Sequence, residues 1–515
     1  METRRQFLAN VTKGAIAATV GFGVVDSMGL APLRAFDGAE TLSFGPLESL
    51  VCLLQETPPA KLLPALVEQL KSGTELRRLV AAAALANART FGGEDYIGFH
   101  TMMALSPSFR MSTELPAELQ PLPVLKVLYR NTARIEAFGG RAKEVLQPVK
   151  CGSLPEGKLA GEAIRDAVRA KDAEGAERMF ARIAKDSATD AFNAMLYEVQ
   201  DNTEVHRTAL PYRAWDLLDL VGMEHAHTML RQSLRYCLKA ESYTRNEKWN
   251  RPRTLLPEMF DAHKLEGRAV GTRVPDDAWV ESLSQTILKS TGEQAANAAA
   301  AALAEGIAPD AVAEGISLAT NQLLLRDVGR PASAEWAGKP IGSVHGDSLG
   351  VHACDSANAW RNMAKIGNAR NAFACTILGA YQAASDKGDR DIQNWKPLPL
   401  QQHLDYLKTK DQDGLLRELE TAIKDNLQAR ATAVVHRFGE QGYPARPVLD
   451  MLLKYAISED GALHAEKYYR TVSEEFATTR PVFRWRQLTA LARVTASEYG
   501  RPAAGVAEAR RLLNV

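Results

Sequence analysis

The sequence predicts an all-α fold: antiparallel helical hairpins stacked as an irregular α-solenoid or as a large helical bundle. Three observations carry this expectation. Apolar residues recur at three- and four-residue spacings along most of the chain. Ala, Leu, Glu, Lys and Arg dominate, all strong helix formers. Runs of four or more residues with β-branched alternation are scarce.

Pro58-Pro59 opens a helix whose Leu62, Leu66 and Leu70 share a face and which stops at Gly73. Pro64 kinks this helix or marks its true start. Thr74 is expected to cap a second helix over 75–88. Helix pairs recur at 157–170 with 172–185 and at 293–304 with 310–325, the latter separated by Gly306 and Pro309. Leu416, Leu419, Ile423 and Leu427 mark a further helix, and 447–457 another. No fixed-period consensus runs through these pairs, so the array is irregular. Loops are expected at 106–122, 147–157, 244–257, 330–350 and 386–399. The segment 330–350 is rich in Gly, Pro and Ser, and loops of that length are often functional. A boundary at 272/273 separates an N-terminal helical half, 36–272, from a C-terminal half, 273–515, unless the two form one domain.

Lys+Arg and Asp+Glu are both 62, which argues against a nucleic-acid partner. The five cysteines are scattered, with no Cys-x-x-Cys or Cys-x-x-Cys-His. A c-type haem and a cysteine zinc site are therefore not expected, nor is a disulfide framework. Cys237, Cys354 and Cys375 lie among helical apolar residues and read as buried small hydrophobes.

Histidine supplies the main signal for a site. Three of the ten histidines precede alanine: His225, His352 and His464, each with a carboxylate nearby. His352 and Asp355 are spaced i,i+3 and share a helix face, as do Glu224 and His227. Asp460 and His464, spaced i,i+4, share one if the helix includes Asp460. His225 and His227 diverge on a helix. His345 sits on the loop entering the helix of His352, and His100 is an additional candidate. His100, His225, His345, His352 and His464, with Asp355 and Asp460, are the expected ligands of a transition metal between helices: Fe, Mn, Cu or Zn. His206, His263, His403 and His436 read as surface or packing residues, with His227 between the two groups. For each candidate taken singly, a hydrogen-bonded packing role is the competing reading. Glu-x-x-His occurs once, at Glu224–His227, whereas a di-iron carboxylate bundle uses it twice.

Gly346-Asp347-Ser348-Leu349-Gly350 matches Gly-x-Ser-x-Gly, but no buried strand precedes it, and a nucleophile elbow needs one. No dinucleotide-binding or Walker A motif is present.

Thr3-Arg4-Arg5-Gln6-Phe7-Leu8 resembles the twin-arginine export motif. An uncharged stretch of about 12 residues, Gly14 to Val25, follows it. That is signal length, too short for a bilayer core of ~30 Å. Residues 1–35 are thus expected to be a signal peptide, cleaved near Ala31 or Ala35. The twin-arginine translocase would deliver the chain folded to the periplasm or beyond, with no transmembrane anchor after cleavage.

Three stretches together resemble a family of twin-arginine-exported, all-helical bacterial proteins without assigned function. They are Gly98-Phe99-His100-Thr101-Met102-Met103-Ala104, Tyr212-Arg213-Ala214-Trp215 running on to Glu224-His225-Ala226, and Ser458 to Tyr469. The resemblance covers most of the mature chain and supplies no mechanism. A looser likeness, carried by His-bearing helices and not by a motif, is to questin oxidase-like proteins, which are helical oxygenases. It implies oxidation chemistry. The expected function is an exported, metal-dependent oxidoreductase acting on a small molecule. The alternative is a non-catalytic helical-repeat protein that binds a ligand or partner protein, or serves as a scaffold.

Overall fold

In the computed structural model, residues 41–242, 250–335, 338–346, 348–388 and 391–515 are described. The signal motif, the start of the expected 244–257 loop and Asp347 lie outside them. The described chain is all-α, with no strand; two isolated bridges, Arg273 to Ile307 and Glu459 to Pro502, tie loops together.

The first helices are α1 (Glu48–Glu56), α2 (Pro59–Lys71), α3 (Leu76–Phe91), α4 (Tyr96–Thr113) and α5 (Pro121–Phe138). Pro64 lies inside α2, in its second turn. Thr74 does not cap α3: its hydroxyl donates to Gln69, and Glu75 is the residue before the helix. The expected loop at 106–122 is mostly helix, because Pro107 is taken up inside α4 and the chain leaves it only after Thr113. Ser106 and Ser108 sit beside that proline, and the Ser108 hydroxyl donates to the Leu105 carbonyl, satisfying a group near the break.

Next come α6 (Ala160–Arg169), α7 (Ala173–Asp186), α8 (Ala188–Val199), α9 (Val205–Asp216), α10 (Leu218–Val221), α11 (Ala226–Ala240) and α12 (Pro252–His263). Asp172 caps α7 and Ser187 caps α8 through their side chains. The second half holds α13 (Asp277–Lys289), α14 (Gly292–Ala304), α15 (Pro309–Arg326), α16 (Leu349–Ile366) and α17 (Ala369–Ser385). Thr291 and Gln294 form a capping box on α14. The last helices are α18 (Gln401–Tyr406), α19 (Gln412–Lys424), α20 (Gln428–Glu440), α21 (Arg446–Ser458), α22 (His464–Thr478), α23 (Trp485–Glu498) and α24 (Val506–Leu513). Asn426, at positive φ, ends α19 before Leu427.

Short links make sequence neighbours pack side by side, as between α4 and α5 or α15, α16 and α17. Distant helices also meet: α4 packs on α22, α9 on both α4 and α16, and α16 on α22. An open solenoid lacks such contacts, because each repeat touches only its neighbours. One buried apolar cluster runs from Phe44 to Ala509 and crosses 272/273 without interruption. Cys237, Cys354 and Cys375 are buried free thiols. No helix among the described residues is long and apolar enough to cross a membrane.

A four-histidine cluster as candidate site

The four helices α4, α9, α16 and α22 each bring one histidine into a single cluster: His100, His206, His352 and His464. Neighbouring ring centroids are 4.8 Å (His100 to His206), 5.3 Å (His100 to His464), 5.3 Å (His352 to His464) and 6.2 Å (His206 to His352) apart. The four rings thus close a circuit. Nε2 of His206 stands 3.3 Å from Nε2 of His100, and Nε2 of His352 stands 3.3 Å from Nε2 of His464.

The outer nitrogens explain this orientation. His100 Nδ1–H donates to the Tyr96 carbonyl at 2.7 Å, one turn back in α4. His464 Nδ1–H donates to the Ala462 carbonyl at 3.1 Å. His206 Nδ1 meets the Glu204 carboxylate at 2.6 Å. Glu204 is also the N-cap of α9: its carboxylate accepts from the backbone N–H groups of His206 and Arg207, and from the Tyr236 hydroxyl at 2.7 Å. Burial alone would raise its pKa. His206 and these hydrogen bonds overcome that and bring it down to about 2. The Tyr96 and Ala462 oxygens are carbonyls and accept only, so Nδ1 carries the proton in His100 and His464, and Nε2 of the neutral ring is a bare lone pair. Burial, reinforced by the Lys467 charge, pushes the pKa of His100 and of His464 well below the usual imidazole range, so both rings are neutral at pH 7.

The backbone around His464 is unusual. Ala462 and Leu463 both take left-handed conformations, φ +50° and +67°, and α22 starts abruptly at His464. Such residues cost on the order of 1–2 kcal/mol each and persist where the surroundings fix them. Gly346 packs directly on His464; a Cβ there would lie 2.1 Å from the His464 Cβ. Close backbone approach thus requires glycine at 346.

Three of the sequence candidates, His100, His352 and His464, therefore come together. His206, read from sequence as a surface or packing residue, joins them. Asp355 lies one turn beyond His352 on the same face of α16, where its carboxylate accepts from the Thr471 hydroxyl at 2.8 Å. Burial raises its pKa, against the pull of Lys467 and Arg213. The other candidates lie apart. His345 is buried in the loop before α16, bonded to Arg501 at 2.7 Å and beside Glu498. His225 is the N-cap residue of α11 and sits edge-on to Phe44. Asp460 is not in a helix with His464, because the left-handed pair intervenes; it pairs with Arg130 at 2.8 Å. Ser348 is the N-cap of α16, its hydroxyl accepting from the Val351 N–H.

Beside His206 and His352 is a cavity of about 10 Å³, also lined by Arg213, Asp355 and Lys467. Burial lowers the Lys467 pKa to about 8, with Asp355 opposing the shift and Arg213 adding to it. The ammonium is thus mostly charged at pH 7. Among the described residues, no group of three or more His, Cys, Asp or Glu side chains is placed so that it could hold a metal ion; the Nε2 atoms approach in pairs.

No protein-family model, curated protein or solved structure matches this chain.

Proposed function

We propose that the chain is an exported metalloprotein whose four histidines, His100, His206, His352 and His464, hold a transition metal for oxidoreductase chemistry on a small molecule. The supporting observation is the pair of neutral imidazoles, His100 and His464, whose protons are committed to backbone carbonyls and whose Nε2 lone pairs face other Nε2 atoms. Where the facing Nε2 is bare as well, as in a neutral His206 that donates Nδ1–H to Glu204, lone pairs 3.3 Å apart repel unless an electrophile lies between them. A metal at about 2.0–2.1 Å from each of two tetrahedral nitrogen ligands sets those nitrogens about 3.3–3.4 Å apart. Both Nε2 pairs have this spacing. The outer Nδ1 contacts to Tyr96, Glu204 and Ala462 are of the kind that fix ring orientation in metal sites.

Imidazole donors suit Fe, Cu and Zn, with Mn if Asp355 also turns in. A bound ion would supply Lewis acidity and, for Fe, Mn or Cu, one-electron chemistry; the protein supplies imidazole donors, of which His100 and His464 are buried and neutral. The twin-arginine motif at Arg4-Arg5 supports export as a folded chain, the order of events that lets a metal be loaded before translocation.

Elemental analysis of protein purified from its native compartment tests this. Stoichiometric metal that is lost in His352→Ala supports the proposal. Substoichiometric metal, unchanged in that variant, sinks it and favours the non-catalytic binding protein. Replacing Arg4 and Arg5 by lysine should leave the protein in the cytoplasm; unchanged export would remove the periplasmic assignment.

A further inference from the structure

The cavity beside the cluster has a chemical character of its own. About 10 Å³ is open there to the centre of a water-sized group, so only a very small ligand fits. His206 and His352 form part of the wall, and the cationic side chains of Arg213 and Lys467 form another part. Lys467 lies one turn along α22 from His464, on the same face. It is buried, yet makes no hydrogen bond or ion pair with a described residue. An ammonium taken from water without a partner is strongly disfavoured, so a ligand that supplies one is favoured.

Arg213 is similarly underused. Its Nη2 donates to the Thr471 hydroxyl at 3.3 Å, and its guanidinium lies 4.8 Å over the Tyr212 ring. Its buried Nη1 has no hydrogen-bond acceptor in place; the nearest carboxylate is Asp216 at 3.9 Å. Asp355 is the acidic group in the cavity wall, and it already accepts from Thr471. Within the cavity wall two cations face one carboxylate, while Asp216, 3.9 Å from Arg213 Nη1, lies outside it.

From this arrangement we infer that Arg213 and Lys467 bind a compact monovalent anion, of azide or formate size, whose far end faces His206 and His352. The inference rests on the metal reading for what that far end meets, but Lys467 and Arg213 act with or without an ion in the cluster. The anion is either a small free ligand or the charged end of a larger molecule, and the small cavity favours the first.

Metal-free and Co(II)-loaded full-length proteins are each titrated with sodium azide, formate and propionate at constant ionic strength. Binding is read from the rise in Tm in both forms, and from the visible spectrum in the Co(II) form. Saturable azide and formate binding is expected in both. It should weaken at least about tenfold in Lys467→Met, the loss of one charge-assisted hydrogen bond. Lys467→Met removes an unpaired buried charge, so it should fold; Lys467→Gln is the polar control, and Co(II) stoichiometry should be unchanged in both. Azide affinity that Lys467→Met leaves unaltered overturns the anion site while leaving the metal reading intact. Lys467-dependent azide binding in a protein that takes up no Co(II) does the reverse. No saturable azide binding in either form also overturns it, and propionate binding as tightly as formate overturns the compact-ligand assignment.

Discussion

The Nε2 atoms of His100 and His206 stand 3.3 Å apart, while the Nδ1 atom of each ring is engaged by an oxygen, the Tyr96 carbonyl and the Glu204 carboxylate. Both rings are held from behind and turned toward each other. In a packing pair one imidazole would donate to the other. The His100 proton is directed outward and burial disfavours adding a second, so a proton shared by the two Nε2 atoms would have to come from His206.

Glu204 therefore has two roles that a substitution can separate. Serine at 204 keeps an N-cap hydroxyl for α9 but is too short to reach His206 Nδ1. Glu204→Ser should weaken metal affinity by roughly 10- to 100-fold, the usual effect of losing such a partner. Stability should fall by no more than about 1 kcal/mol. Metal titration by competition with a chelator, alongside denaturant unfolding, checks both. Equal metal affinity in the variant would show that Glu204 only caps the helix.

The start of α22 is fixed from the other side by α5. Lys126 Nζ donates to the carbonyls of Ala456 and Glu459 at 2.8 and 2.7 Å and lies 2.7 Å from Glu466 Oε1, with both side chains buried. The Glu466 oxygens meet no donor in hydrogen-bond geometry among the described residues, so Lys126 is the charge that balances them. Lys126→Met should destabilise the fold by about 3–5 kcal/mol, because it strands a buried carboxylate. Lys126→Met with Glu466→Leu should recover part of that loss, and a double-mutant cycle measures the coupling. A single-variant loss under about 1 kcal/mol would contradict the pairing.

Much of this architecture is legible in the sequence, and the exceptions have physical causes. The pairs 293–304 with 310–325 and 157–170 with 172–185 were visible because caps and turn residues agree with the apolar period. Pro107 misled because a proline inside a helix reads as a break, while Ser108 and the burial of α4 absorb it. His352 and His464 stood out through nearby acids, and Asp355 does share the face of His352. His206 was missed because Glu204 is spaced i,i+2, which diverges on a helix. Glu204 is instead extended, φ −69° and ψ 136°, just before α9, so its carboxylate folds back onto the ring. A Glu-x-His at a helix N-cap is the signal that finds it. Asp460 was placed one turn from His464 on the assumption of a continuous helix. The two left-handed residues at 462 and 463 carry no sequence mark, since neither is glycine or asparagine.

His227 contributes to the pH dependence of stability, beside the buried His100 and His464. Burial, reinforced by Arg231 and opposed by Glu177, lowers its pKa to about 4 from an ordinary 6.5. The unfolded chain binds the proton first, so stability is full above pH 6.5 and is lost as pH falls from there toward about 4. The loss is on the order of 2 kcal/mol, less than the full shift because part of the ring meets solvent. Tm measured from pH 7 to pH 4.5 should fall less steeply in His227→Phe than in the wild type. Parallel curves would contradict this assignment.

The central claim is that imidazole nitrogens of the cluster bind the metal. X-ray absorption at the metal edge of protein from its native compartment tests it most directly. The account predicts a nitrogen shell at about 2.0–2.1 Å with imidazole outer-shell scattering, diminished in His206→Ala while the helical circular dichroism is retained. An oxygen-only shell, or a spectrum that His206→Ala leaves unchanged, would contradict it.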